Sequence, residues 1–274
     1  MLKTNKDVEL ARLVQDIQQS GKYGDICLAL IEHVGRQELS KRRNVKEALK
    51  ATKNKLHQIG GAYLDGREQY QQWLRMLAEA QAEQGTDNET FKAVSLQLMG
   101  KHASTRERRS ILPDFYPRIF AELPPIHSVI DIACGLNPLA HPWMPLAPAA
   151  TYDAYDIYQG MMTFLNDYFA LRNIRGTASA CDVIQSCPTQ EVDVALLLKV
   201  LPCLEQLEKW AAHHLLHTLN ARYLIVSYPI QSLGGKSKGM STYYESHFRS
   251  LISDTPWTIK KLEFANEMVF VVAK

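Results

Sequence analysis

No C-x-x-C pair occurs among the five cysteines (Cys27, Cys134, Cys181, Cys187 and Cys203), and their number is odd. A disulfide framework and a zinc knuckle are both excluded, and free thiols fit a reducing cytosol. No run of about 18 apolar residues occurs, so nothing reads as a membrane span. Met1 to Val14 carries charges throughout and has no apolar core of a signal peptide, so a cytoplasmic location is expected. The G-x-G-x-x-G fingerprint of dinucleotide binding is missing. So are internal repeats and low-complexity tracts. With 46% hydrophobic and 22% charged residues, wholesale disorder is excluded. The 274 residues allow one large domain or two smaller ones.

A net charge of +2 hides an asymmetry. Residues 1–125 hold 20 Lys+Arg against 16 Asp+Glu, and residues 126–274 hold 11 against 13. Between Arg36 and Lys55, eight basic residues face only Glu38 and Glu47. Such a run is either a solvated helix face or the footprint of a polyanion. The first hundred residues show helical periodicity: Asp7–Gln18, a helix capped by Asn44 and ended by Gly60-Gly61, Arg67–Gln84, and Glu89 to about Gly100. On the second of these, Arg43, Lys46, Lys50 and Lys53 follow steps of three and four and form one basic stripe.

Pro124-Pro125 marks a change of character. Seven strands are expected, at Ser128–Ala133, Thr151–Ile157, Thr177–Cys181, Val192–Leu198, Tyr223–Tyr228, Thr258–Glu263 and Met268–Ala273. Helical stretches at Gly160–Arg172, Leu204–Leu219 and Tyr243–Ser253 alternate with them, which implies a parallel sheet covered on both faces. Only a short link around Phe264-Ala265-Asn266, with no helix, joins the last two strands, so that pair must be an antiparallel hairpin. The fold class is therefore α/β: a mostly parallel, seven-stranded, Rossmann-like sheet with an antiparallel terminal hairpin. An N-terminal all-helical domain precedes it. This describes a class I methyltransferase better than a dehydrogenase.

In a doubly wound sheet, ligands bind at the carboxyl ends of the strands. The first strand runs through Asp131 into Ala133-Cys134-Gly135, where small residues let backbone approach a ligand and Asp131 can order the loop or hold an ammonium. The second ends at Asp156, placed for ribose hydroxyls. The third ends at Asp182-Val183, where a carboxylate can accept from an adenine amino group. Acids at successive strand ends favour S-adenosylmethionine. The fourth strand runs into Lys199, which faces the crevice. The Asn/Asp-Pro-Pro-aromatic turn common to enzymes that methylate exocyclic amines is missing there. After the fifth strand, Gly234 to Met240 reads as a glycine-rich basic loop, with Lys236 and Lys238 suited to phosphate contacts.

These residues resemble the aminoglycoside-resistance 16S ribosomal RNA methyltransferases that modify N7 of guanine 1405. The matching segments are Lys55 to Tyr63, His102 to Arg108, Asp131 to Leu139, Leu196 to Leu204, Ser232 to Met240 and Asn266-Glu267, spread over nearly the whole chain. The resemblance implies that Arg106 reaches the methionine carboxylate of the cofactor and that Tyr63 helps close over that end. It implies that Ala133 and Gly135 cradle the cofactor, and that Asp156 and Asp182 contact ribose and adenine. Residues 1–105 would dock the 30S subunit through Arg43, Lys46, Lys50, Lys53 and Lys55, and residues 106–274 would transfer the methyl group. Lys199, Met240, Tyr243 or Tyr244, and Glu267 are the candidates to hold the extracted guanine, Lys199 first among them. The product would be S-adenosylhomocysteine and the partner 16S rRNA in the assembled subunit. Oligomeric state is left open, with a monomer as the working expectation.

Two other readings stay open: adenine-N1 methylation of the same decoding region, and a non-catalytic RNA-binding assembly factor. No metal is expected. His213, His214 and His217 bring imidazoles together at helical spacing, but metal sites need three or four ligands. Cys134 has no evident base partner, which argues against nucleophilic catalysis.

Overall fold

The computed structural model describes residues 5–61, 69–84, 89–230 and 240–274. Among the described residues, seven α-helices precede the first strand: α1 (Asn5–Gln18), α2 (Leu28–Lys41), α3 (Val45–Leu56), α4 (Tyr70–Gln84), α5 (Glu89–Met99), α6 (Ala103–Arg108) and α7 (Leu112–Phe120). Asn44 caps α3 as expected, accepting from the Glu47 N–H at 2.9 Å while its own amide donates to the Glu47 carboxylate at 3.1 Å. The buried face of α3 is Ala48, Thr52 and Leu56, one residue per turn. A π-helical turn, His57–Gly61, follows it directly.

Helix α2 escaped the sequence reading, and its buried face explains why. Gly35 and Glu38 share that face with Leu30, Ile31 and Val34, which breaks the apolar pattern. A Cβ on Gly35 would lie 2.9 Å from Leu13 of α1, so glycine is what allows the two helices to pack closely. The Glu38 carboxylate, 2% exposed, takes Arg42 at 3.0 Å and Lys55 at 3.5 Å. Lys55 therefore turns partly inward, unlike Arg43, Lys46 and Lys50, which are exposed; Lys53 is half-buried.

All seven expected strands form: β1 (Ser128–Ile132), β2 (Thr151–Asp156), β3 (Ala178–Ala180), β4 (Val192–Leu198), β5 (Ala221–Pro229), β6 (Thr258–Glu263) and β7 (Glu267–Ala273). They make one sheet in the order β3-β2-β1-β4-β5-β7-β6. Strands β1 to β5 are parallel, and β7 is antiparallel to both β5 and β6. The crossovers use α8 (Gln159–Arg172) and two helices, α9 (Leu201–Leu207) and α10 (Ala211–Thr218), where one had been expected. Helix α11 (Met240–Leu251) leads into the terminal hairpin.

The helical and sheet regions share one hydrophobic core, running from Leu13 to Val272. Helices α1, α2 and α3 pack on one another, whereas α4 lies on α8 and α5 on the 3-10 turn Asn137–Trp143. A division at 105/106 falls inside α6. No helix among the described residues is long and apolar enough to cross a membrane.

Candidate active site

A cavity of about 480 Å³ opens at the carboxyl ends of the parallel strands. Across the sheet its walls run from Asp182 and Val183 after β3, through Asp156 of β2 and Ala133 after β1, to Lys199 after β4 and Pro229 of β5. Leu30 of α2, with Ile59 and Gly60 of the π turn, closes one side. His102, Ser104 and Glu107 face it from the α6 segment, and Met240 and Tyr244 from α11. Tyr243 is 64% exposed and is not part of the wall.

The turn after β1 is left-handed at both Ala133 (φ 52°) and Gly135 (φ 53°). A Cβ on Gly135 would lie 2.7 Å from the His102 ring, so glycine is required by space as well as by φ. Asp156 ties this turn to β2: its Oδ2 accepts from the Gly135 N–H at 2.8 Å and its Oδ1 from Ile157 at 2.6 Å. Burial raises the Asp156 carboxyl above its ordinary range, and the backbone donors partly offset this. With Gly135, Ile157 and Tyr158 as backbone donors, the two oxygens still have acceptor capacity for a ligand hydroxyl. Asp182 is fixed in the same style, with Oδ1 accepting from Ile184 N–H at 3.0 Å and Oδ2 lying 2.6 Å from His33 Nδ1.

Asp131 lies behind the wall rather than on it. Its Oδ2 accepts from Asn137 at 2.8 Å and Tyr152 at 2.6 Å, while Oδ1 has no hydrogen-bond partner. Burial pushes its carboxyl up to about 6 against those donors. This geometry orders the loop, and Asp131 is not among the residues that line the cavity.

Lys199 occupies an uncommon backbone conformation, φ 63°, at the end of β4. A non-glycine residue held left-handed stores strain of the order of 1 kcal/mol, and such strain gathers at functional sites. Its ammonium sits 2.7 Å from Glu107 and 3.3 Å from Glu267. Glu267, fully buried, also takes Arg108 through two bonds (2.8 and 3.2 Å) and Ser227 at 2.5 Å. Burial alone would raise the Glu267 carboxyl, but Arg108 and Lys199 together hold it below its ordinary value. Two cations and two carboxylates thus balance, and the third Lys199 N–H is left for the cavity. Glu267 is not a wall residue; its contact with the cavity runs through Lys199.

Arg108 is the residue the sequence reading missed. It is 1% exposed and donates to Asn137 at 3.0 Å as well as to Glu267. Three of the matching segments (His102 to Arg108, Asp131 to Leu139 and Asn266-Glu267) meet at this one guanidinium. The Asn266 amide also donates to the Glu107 carbonyl, pinning the hairpin to α6. Arg106, expected at the methionine carboxylate, is instead exposed and outside the wall. Two residues apart on a helix point in nearly opposite directions, so Arg106 and Arg108 cannot both face inward. Tyr63, Lys236 and Lys238 lie outside the described residues.

The chain as a whole is similar to known proteins. The family model for ribosomal RNA methyltransferases (FmrO) matches residues 19–271. The chain is 35% identical over 276 residues to a 16S rRNA (guanine(1405)-N(7))-methyltransferase of Micromonospora rosea, covering 100% of both chains. The chain belongs to the FmrO ribosomal RNA methyltransferase family. A relative of the same name from Serratia marcescens is 31% identical over 94% of this chain and 96% of its own. The crystal structure of the 16S rRNA methyltransferase RmtF in complex with S-adenosyl-L-homocysteine superposes with a TM-score of 0.84 at 28% identity, covering 100% of each chain. That of the 16S rRNA methylase RmtB gives 0.77 at 26% identity, over 97% of this chain and 98% of that one. The sheet order with its reversed terminal hairpin is thus the class I methyltransferase fold of this family.

Away from the cavity, His213 and His217 of α10 stack at 4.1 Å and face Asp254 at 3.9 and 3.8 Å. The sequence reading lacked this third group. His213 and Asp254 are exposed, and none of the three lines the cavity. Cys134 is buried, which raises its thiol well above the ordinary range and removes it as a nucleophile.

Proposed function

We propose that this protein transfers the methyl group of S-adenosylmethionine to N7 of guanine 1405 in 16S rRNA of the assembled 30S subunit. The methylation confers resistance to aminoglycosides of the kanamycin and gentamicin class. The observation that carries the reading is the cavity itself. It has two buried carboxylates at the ends of β2 and β3, a glycine turn at β1 and a strained lysine at β4, in a chain whose full-length relatives bear that activity in their names.

The cavity residues suit the cofactor. Asp156 offers acceptors for ribose hydroxyls and Asp182 for an adenine amino group, with Val183 and Leu30 as apolar walls. His102 and Ser104 stand at the α6 side, where the methionine end would lie. S-adenosylmethionine supplies an electrophilic methyl group.

The protein needs no general base, because guanine N7 carries a lone pair and no proton. What it must supply is extraction of the base, orientation and a favourable field. Guanine presents O6 and N7 as adjacent acceptors. Donation from Lys199 to O6 holds the ring and leaves the N7 lone pair free to attack. The purine gains positive charge as the bond forms, and the Glu107 carboxylate beside Lys199 compensates it. Met240 and Tyr244 supply the apolar contact that excludes water. The exposed Lys46 and Lys50 on α3, with Arg43 just before its N-cap, give the polyanion surface, so subunit docking is assigned to the helical region. Because its substrate is the ribosome, the enzyme works in the cytoplasm.

Purified 30S subunits incubated with the protein and labelled cofactor test this reading. Label mapped to N7 of guanine 1405 is expected. Label on an adenine of the same region, or none despite cofactor binding, overturns it in favour of the other readings.

A further inference from the structure

His33 belongs to α2, in the helical region assigned to docking, yet its ring reaches Asp182, a wall residue of the cavity. Nδ1 lies 2.6 Å from Asp182 Oδ2, and the two side chains are 9% and 2% exposed. On its other side, Nε2 lies 2.9 Å from the Gln37 amide nitrogen. Glu208 Oε1 lies 3.8 Å from the same Nε2, and with the ring neutral or protonated it is Nδ1–H that donates to the Asp182 carboxylate. The Gln37 amide nitrogen also donates to Glu208 at the end of α9, and its Oε1 accepts from Lys55 of α3 at 3.4 Å. A continuous chain, Lys55–Gln37–His33–Asp182, therefore connects the end of the basic helix with the adenine side of the cavity.

We propose that His33 is a positioning residue for the cofactor: it fixes the Asp182 carboxylate so that its remaining lone pairs face the adenine amino group. The physical ground is the division of labour at Asp182. The Ile184 N–H holds Oδ1 through the local turn, but nothing else on the β3 turn is hydrogen-bonded to Oδ2. Without the imidazole, a nearly inaccessible carboxylate oxygen loses its donor and the group can turn about its side-chain torsions. The helical region is then a structural part of the cofactor site and not only a handle for RNA.

This inference rests on the reading that the cavity takes S-adenosylmethionine, and its test separates the two. S-adenosylhomocysteine and adenosine are titrated without RNA into wild type, His33→Leu and His33→Asn, and methyl transfer to 30S subunits is followed with varied cofactor. Asparagine keeps an N–H donor near the Nδ1 position, and leucine keeps only bulk. His33→Leu is expected to weaken both ligands by the same factor, about tenfold. It should raise KM for the cofactor by a like amount and leave kcat within about twofold. His33→Asn should restore affinity to within about threefold of wild type. Failure of the wild type to bind S-adenosylhomocysteine would remove the cofactor reading itself. Wild-type affinity in folded His33→Leu, or equal losses in the leucine and asparagine variants, would overturn the role of His33 alone.

Discussion

At one side of the cavity, Asp156 and Asp182 take most of their hydrogen bonds from main-chain N–H groups at the strand ends; at the other, Lys199 is held by side chains brought from far along the chain. Glu107 lies 92 residues before it, and Arg108 reaches across 159 residues to Glu267. The first construction is cheap, because backbone donors in a tight turn are already in place and carry no desolvated charge. The second gathers four ionised groups, with Arg108 and Glu267 fully buried, Lys199 nearly so and Glu107 partly exposed, and its buried members are stable only while their partners are present. One side can therefore vary with small local cost, and the other stands or falls as a unit.

The sharpest way to break that contrast is Arg108→Ala. It leaves Glu267 buried with half its partners gone, so destabilisation of about 3–5 kcal/mol is expected by urea unfolding. A loss below about 1 kcal/mol would mean that the network is not a unit. Loss of Arg108 should also bring forward the acid transition. The lowered Glu267 carboxyl contributes stability that is present above its unfolded value near 4.5 and is lost as pH falls through its folded value.

Asp131 supplies the opposite sign. Its carboxyl rises from 3.8 to about 6, so the folded state takes up a proton first, and stability falls as pH rises between those values. Asp131→Asn keeps an acceptor for Asn137 and Tyr152 and removes the buried charge. It should flatten that limb and raise stability at pH 7.5, by at most about 3 kcal/mol. Thermal unfolding at pH 4.5, 6 and 7.5 reads this, and an unchanged pH profile contradicts it.

The smallest effect per residue is expected on the docking surface. Arg43→Glu, Lys46→Glu and Lys50→Glu together should weaken 30S binding and lower the log-log salt slope by about 0.7–0.9 for each phosphate no longer neutralised. Affinity for S-adenosylhomocysteine should stay as it was. Subunit binding measured at two salt concentrations decides it: a wild-type affinity and slope would return the stripe to an ordinary solvated face.

The same contrast explains what could be read in the sequence. Strand ends are marked by where an apolar run stops, so Asp156, Asp182 and Lys199 stand out, and the three-residue link after Glu263 fixes the hairpin. Arg108 has no such mark. Its neighbour Arg106 looks equally eligible on paper, and only the phase of α6 decides which of them is buried. Ser104, Glu107 and Arg108 fall at steps of three and four on the inward face, with Arg106 opposite. His33 was hidden because α2 itself was hidden, its buried face interrupted by Gly35 and by the ion-paired Glu38. Periodicity detects apolar faces, and a helix that buries a carboxylate among its partners does not present one.

The central claim is that cofactor binding and base handling are built on separate walls of one cavity. It is tested most directly with Asp182→Ala and Lys199→Ala in one experiment, pairing S-adenosylhomocysteine titration calorimetry with single-turnover methylation of 30S subunits at saturating cofactor. Asp182→Ala should lose about ten- to a hundredfold in affinity and recover most of its turnover once saturated. Lys199→Ala should bind near wild-type affinity and lose at least about a hundredfold in turnover. Equal losses of affinity and turnover in both variants would contradict the account.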